Sequence, residues 1–227
     1  MTIVTKEHIQ IEKEYVKLSM KEPLKVVSSA MHNPGIGMYQ HFVNRSVSYQ
    51  YDFLDPHTEM QQFLLQQGFP VENTVAMMTA VFPHQVVVES FEYEGTSIVI
   101  AVTAGVGNAV DITRAFHRED KMHAGTINTW VFVNGELSEE AFYQSMISAT
   151  EAKTKAIFAE NILDPRTGTV ATGTSTDSLL IGATQQGIYY QYAGPITPLG
   201  TLIGYGVYQV MRKAIAGYKR YKEENPS

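Results

Sequence analysis

The chain has 227 residues and no cysteine, enough for one domain with a real core and none of the chemistry of disulfides, thiolate metal sites or cysteine nucleophiles. With 17 basic against 23 acidic residues its net charge is −6, which argues against a nucleic-acid surface. Charged residues are 18% of the chain, and residues 26–211 hold only 24 of them, 17 acidic. That middle is core plus neutral polar groups, a lining suited to a ligand recognised by neutral hydrogen bonds and apolar contact.

In chain order, residues 8–18 alternate apolar and polar and predict a half-exposed strand; residues 24–28 predict a buried one. The Asn-Pro-Gly content of 29–37 predicts a loop, and 41–50 is strand-like again. Asp55 followed by Pro56 opens a helix that Gly68 ends. Residues 85–91 and 96–102 predict a hairpin around Glu94-Gly95. A loop-to-helix passage follows over 103–118, then a strand at 126–133. Ser138 caps a long helix to about Asn161, with Glu139 and Glu140 in its first turn, where the helix dipole favours them. A Gly/Thr-rich loop at 166–176 leads to a strand at 178–184. Thr197-Pro198 opens a last helix to about Tyr221, and Gly200 and Gly204 would let it approach a neighbour closely.

The strand, helix and strand from 126 to 184 form a β-α-β unit with a right-handed crossover. The expectation is a single α/β domain over 1–227: a mixed sheet, antiparallel and α+β in character in its N-terminal part, with helices packed on it. Residues 1–20 lack the apolar run of a signal peptide, and 199–211 is too short to span a membrane. A cytoplasmic protein that works without membrane or nucleic acid is expected, and its Tyr-rich and Gly-rich surface permits a homodimer.

Familiar motifs fail. Gly105-x-Gly107 follows a strand, but Val110 stands where a dinucleotide fingerprint needs its third glycine. Gly168 and Gly173 have P-loop spacing, but Thr174 replaces the lysine. His117 and His123 flank a charge-rich stretch that reads as solvated loop, and helix capping explains Asp55 in the group Asp52, Asp55, His57 and Glu59.

Four segments carry unusual densities of small polar residues: 28–35 (SSAMHNPG), 103–109 (TAGVGNA) with Asp111 after it, 125–128 (GTIN) and 171–177 (ATGTSTD). Each borders a predicted strand, where α/β sheets place their sites. Any one alone reads as a turn; the four together read as a site. The long helix adds an oddity. At 100° per residue Lys153 points with Phe142, Met146, Ala149 and Ala156, while Glu151 lies on the other side near Ile147 and Phe158. Lys153 either snorkels or faces a cleft.

SSAMHN, TAGVGNA, GTIN, TEAK (150–153), ATGTSTD and YAGPITPLG (192–200), in this order, resemble the adenosylcobinamide amidohydrolases over about residues 26–214. One departure is visible: the family's first loop reads Asn-Gly-Gly where this chain has Asn33-Pro34-Gly35, a change that bears on substrate preference. The resemblance implies a cobalamin-salvage enzyme that hydrolyses the amide joining the aminopropanol arm to the corrin ring, giving adenosylcobyric acid and 1-aminopropan-2-ol. Cobalt then arrives inside the corrinoid substrate, and no cofactor or protein-bound metal is expected.

Amide hydrolysis needs a nucleophile, donors for the oxyanion and a proton for the leaving amine. The first expectation is water activated by a carboxylate, Glu151 or Asp177 with Asp111 behind them, and His32 or Lys153 as the acid. Asn33, Asn108, Asn128 and the backbone around Gly105 and Gly173 would hold the oxyanion or the corrin amides. A second route makes Thr174 or Thr126, each after a glycine, a covalent nucleophile on this or another amide. The alternative of a different class is a corrinoid or tetrapyrrole carrier that binds without cleaving.

Overall fold

A computed structural model describes residues 3–48, 51, 54–116 and 125–225. The strands are β1 (Ile9–Ile11), β2 (Tyr15–Ser28), β3 (Gly35–Ser46), β4 (Thr74–Thr79), β5 (Val87–Tyr93), β6 (Thr96–Ala104), β7 (Ala109–Val110), β8 (Ile127–Val133), β9 (Glu136–Leu137), β10 (Gly173–Thr174), β11 (Ser178–Ala183) and β12 (Tyr189–Tyr190). The α-helices are α1 (Pro56–Gln66), α2 (Glu139–Ala159) and α3 (Pro198–Glu224). The main sheet runs β4-β3-β2-β11-β8-β6-β5, with β1 added to β2; its β3–β4 and β8–β11 pairs are parallel and the rest antiparallel. The mixed α/β class and the β8-α2-β11 unit are as expected.

Local chemistry explains the helices. Asp55 accepts from the Thr58 backbone, Ser138 from Ala141 N and Thr197 from Gly200 N, and Pro56 and Pro198 occupy the first turns of α1 and α3. A β-carbon on Gly200 would stand 1.9 Å from the Gly194 carbonyl oxygen, so the start of α3 needs glycine there. Gly204 faces open space instead; the close approach to the sheet is at Gly206, against Ile100 and Phe91.

The strands depart from expectation where pairing is non-local. The strand expected over 8–18 folds back on itself: β1 pairs with β2 across a turn in the charged run Glu12-Lys13-Glu14, closed by Glu12 N donating to Tyr15 O at 2.8 Å. The expected strands at 8–18 and 24–28 share one 14-residue strand, β2, whose register against β3 shifts between Ser19 and Leu24. β3 starts at Gly35, earlier than expected. β4 was not signalled at all: it is buried almost throughout and shows no alternation. In the passage after Thr103 the described residues hold no α-helix: they form the short strand β7 and a 3-10 turn, Ile112–Arg114.

The sheet is strongly coiled. Phe42 on β3 and Phe132 on β8 meet edge to face with centroids 5.1 Å apart, although two strands lie between them. Val16, Leu18, Leu24, Val26, Met77 and Trp130 share this concave core. On the convex face α2 and α3 bury Val27, Ile100, Val131 and Ile181, and α1 buries Tyr15, Val43 and Ala76. The 29–34 segment bridges the coil: Ser29 exchanges hydrogen bonds with Leu179, and His32 with the backbone of Ala76.

Candidate active site

The polar segments meet where β8 and β11 begin. β10 pairs with β7, so 103–109 and 171–177 lie side by side. Asn108 Nδ2 donates to Ser175 Oγ at 2.8 Å, Gly105 N to Thr126 O at 2.9 Å, Thr126 Oγ1 to Thr176 O at 2.6 Å, and Thr176 Oγ1 to Gly125 O at 3.2 Å.

Asp177 is the hub. Its Oδ2 accepts from Lys153 Nζ at 2.6 Å and from Thr174 N at 3.2 Å; its Oδ1 accepts from Ile127 N at 3.2 Å and from the Thr174 hydroxyl. Four donors take up the acceptor sites of one carboxylate. The Lys153 and Asp177 side chains are 17% and 18% exposed, so the pair is sheltered but reachable. The lysine on the small and apolar face of α2 has its partner 24 residues downstream. Gly173 is shaped to the pair: a β-carbon there would stand 2.5 Å from Asp177 Oδ2 and 2.9 Å from Lys153 Nζ.

The pair lines a cavity of about 180 Å³ with Ser29, Ile127, Thr129, Thr150 and Ser178, floored by Met146, Ala149 and Leu179. Four quoted motifs contribute: SSAMHN through Ser29, GTIN through Ile127, TEAK through Thr150 and Lys153, and ATGTSTD through Asp177. Sequence reasoning did not single out Ser29 or Thr150, although both lie inside those motifs, and Thr129 and Ser178 adjoin them. A larger cavity, about 590 Å³, lies at the C-terminal end of α3 beside Phe82 and Tyr221, and touches these loops only at Gly105 and Gly125.

The remaining predicted residues are spread out. Glu151 is exposed, 200° around α2 from Lys153, and borders a groove with Lys155, Tyr205 and Tyr208. His32 is buried with Nε2 2.9 Å from Val71 O, and Asn33 Nδ2 donates to Val71 O and Thr74 O. Asn33 also takes a left-handed backbone, φ 53, which asparagine tolerates. Asn128 is buried, its amide donating to Asn44 Oδ1 at 2.7 Å and Met78 O at 2.9 Å, while Asn44 donates to Thr103 Oγ1. Asp111 accepts from Thr169 Oγ1 at 2.6 Å and from Thr113; these bonds hold its carboxyl below the usual carboxylate range. Glu59 pairs with Arg45 and Asp55 caps α1. Asp52, His117 and His123 lie outside the described residues. Among the described residues no group of three or more His, Asp or Glu is placed to hold a metal ion.

The convergence of these motifs agrees with a direct comparison. Residues 1–223 match the family model described as adenosylcobinamide amidohydrolase. The chain belongs to this family. It is an amidohydrolase, a hydrolase of a carbon–nitrogen amide bond. The match exceeds the stretch over which the motifs alone carried the resemblance. No curated protein matches the chain. No helix among the described residues is long and apolar enough to cross a membrane.

Proposed function

We propose that this amidohydrolase cleaves the aminopropanol amide of adenosylcobinamide at the Lys153–Asp177 pair, releasing adenosylcobyric acid and 1-aminopropan-2-ol. The family match over nearly the whole chain carries the reaction. The convergence of four motifs on one sheltered ion pair supports the location.

The hydrogen bonds of Asp177 favour the Thr174 hydroxyl over water as nucleophile, and Thr174, which does not line the cavity, would have to turn toward it to reach the amide. Asp177 accepts four hydrogen bonds and would have to lose one to activate a water. The Thr174 Oγ1 proton already points at it. Attack of Oγ1 on the amide carbonyl forms the C–O bond and passes the proton to Asp177. Protonation neutralises the carboxylate and frees the Lys153 ammonium to stabilise the oxyanion. On collapse the C–N bond breaks, the amine nitrogen takes the proton from Asp177, and the corrin carboxyl is left as an ester on Thr174. Water then adds to the ester carbonyl, its proton again taken by Asp177 and returned to Thr174 Oγ1. The cobalt belongs to the substrate throughout.

The test is incubation of the chelator-treated protein with adenosylcobinamide and mass spectrometry of the products. Adenosylcobyric acid and free aminopropanol in equal amounts are expected. Substrate bound tightly but returned intact under every condition would favour the carrier reading instead.

A further inference from the structure

Between the areas covered by α1 and α2, β3 carries two exposed apolar side chains on the convex face. Ile36 and Met38 on β3 are 48% and 53% exposed. Their cross-strand partners on β2 are Val27 and Lys25, and Val27 pairs in turn with Ile181 of β11 under α2. Partners across an antiparallel pair share a face, so Ile36 and Met38 point to the same side as α2. Leu179, two residues before Ile181, points there too and forms a wall of the Lys153–Asp177 cavity. Ser29 continues the same alternation from Lys25 and Val27 to the cavity rim.

We infer that this strip is the platform for the apolar face of the corrin ring, whose aminopropanol arm then descends past Ser29 to Lys153. The inference rests on the proposed reaction and adds the specificity surface to it. Val27 and Ile181 are buried under α2, so the open part of the strip is Ile36 and Met38 on β3 with Lys25 and Ser29 beside them. A flat macrocycle, too large for the 180 Å³ cavity, would rest there with its edge at the cavity rim. Adjacent large apolar side chains left open on a sheet face mark a binding surface. The continuity of the strip with the cavity that would hold the amide selects its occupant.

The experiment compares Ile36→Thr/Met38→Thr with Ile36→Leu/Met38→Leu. Threonine suits a strand and removes the apolar surface; leucine keeps it. The threonine pair is expected to raise KM for adenosylcobinamide about tenfold or more at nearly unchanged kcat, and to weaken binding of adenosylcobyric acid, which lacks the scissile amide, by the same factor. The leucine pair is expected to match the parent in both. Unchanged KM and unchanged adenosylcobyric acid affinity in the threonine pair would overturn the platform. If the parent releases no aminopropanol, the reaction fails independently, and calorimetric titration with adenosylcobinamide still decides the platform: weaker binding by the threonine pair supports it, equal binding or no binding by the parent overturns it.

Discussion

Gly173 lies so close to Asp177 that a β-carbon on it would stand 2.5 Å from Oδ2. The carboxylate cannot simply swing away, because two backbone N–H groups, the Thr174 hydroxyl and Lys153 hold it. The glycine of ATGTSTD is therefore a steric requirement of the ion pair. Gly173→Ala should lower kcat about a hundredfold, the scale of a misplacement near 1 Å in a catalytic group. The Tm of the same variant shows whether the loss is local; a fully active Gly173→Ala would mean that the pair tolerates displacement.

Glu151 gives the complementary expectation. It lies exposed on the side of α2 away from Lys153 and borders a different groove. Glu151→Gln should keep kcat and KM within about twofold, as expected of a surface change far from the chemistry. A loss of two or more orders of magnitude would bring the first carboxylate-base expectation back to this residue.

Asn128 should matter for stability. Its amide satisfies Asn44 Oδ1 and Met78 O inside the coil, joining β8 to β3 and β4. Asn128→Ala would take the donor from the buried Asn44 Oδ1 and the half-buried Met78 O, at about 1–3 kcal/mol for the buried one and less for the other. Thermal unfolding should show a Tm lower by about 5–10 °C. An unchanged Tm would mean that water replaces the lost donor.

These cases show what the sequence made legible. Caps and turns are local chemistry, and Asp55, Ser138 and Thr197 announce their helices directly. The four polar segments and the misplaced Lys153 also pointed to a site, because small polar residues at strand ends and a charge on an apolar helix face are visible as patterns. The partner of Lys153 was not, since 24 residues and a crossover separate it from Asp177. Asn128 reads as a surface donor in GTIN until the coil of the sheet buries it against Asn44. β4 escaped for a related reason: a strand buried almost throughout and paired in parallel shows no alternation. The platform was hidden as well, because the exposure of Ile36 and Met38 depends on where α1 and α2 end.

The Arg45–Glu59–Tyr51 cluster carries a pH dependence. Burial, and then the hydrogen bond that Tyr51 Oη donates to Glu59 Oε2 at 2.9 Å, push the phenol up to about 12 from 10.0. The folded state keeps this proton where the unfolded chain releases it. The contribution is therefore complete below pH 10 and is lost as pH rises toward 12. Tm measured between those values should fall less steeply for Tyr51→Phe than for the parent. Parallel curves would show that Tyr51 does not titrate late.

The central claim is that the Lys153–Asp177 pair is where the amide is cleaved. The most direct test follows aminopropanol release from adenosylcobinamide by the parent, Asp177→Asn and Lys153→Met side by side, with far-ultraviolet circular dichroism to establish that each is folded. The parent should turn over, and both folded variants should lose about 10²-fold or more, the scale of a missing proton-transfer or electrostatic group. Parent-like turnover by either folded variant would contradict the assignment.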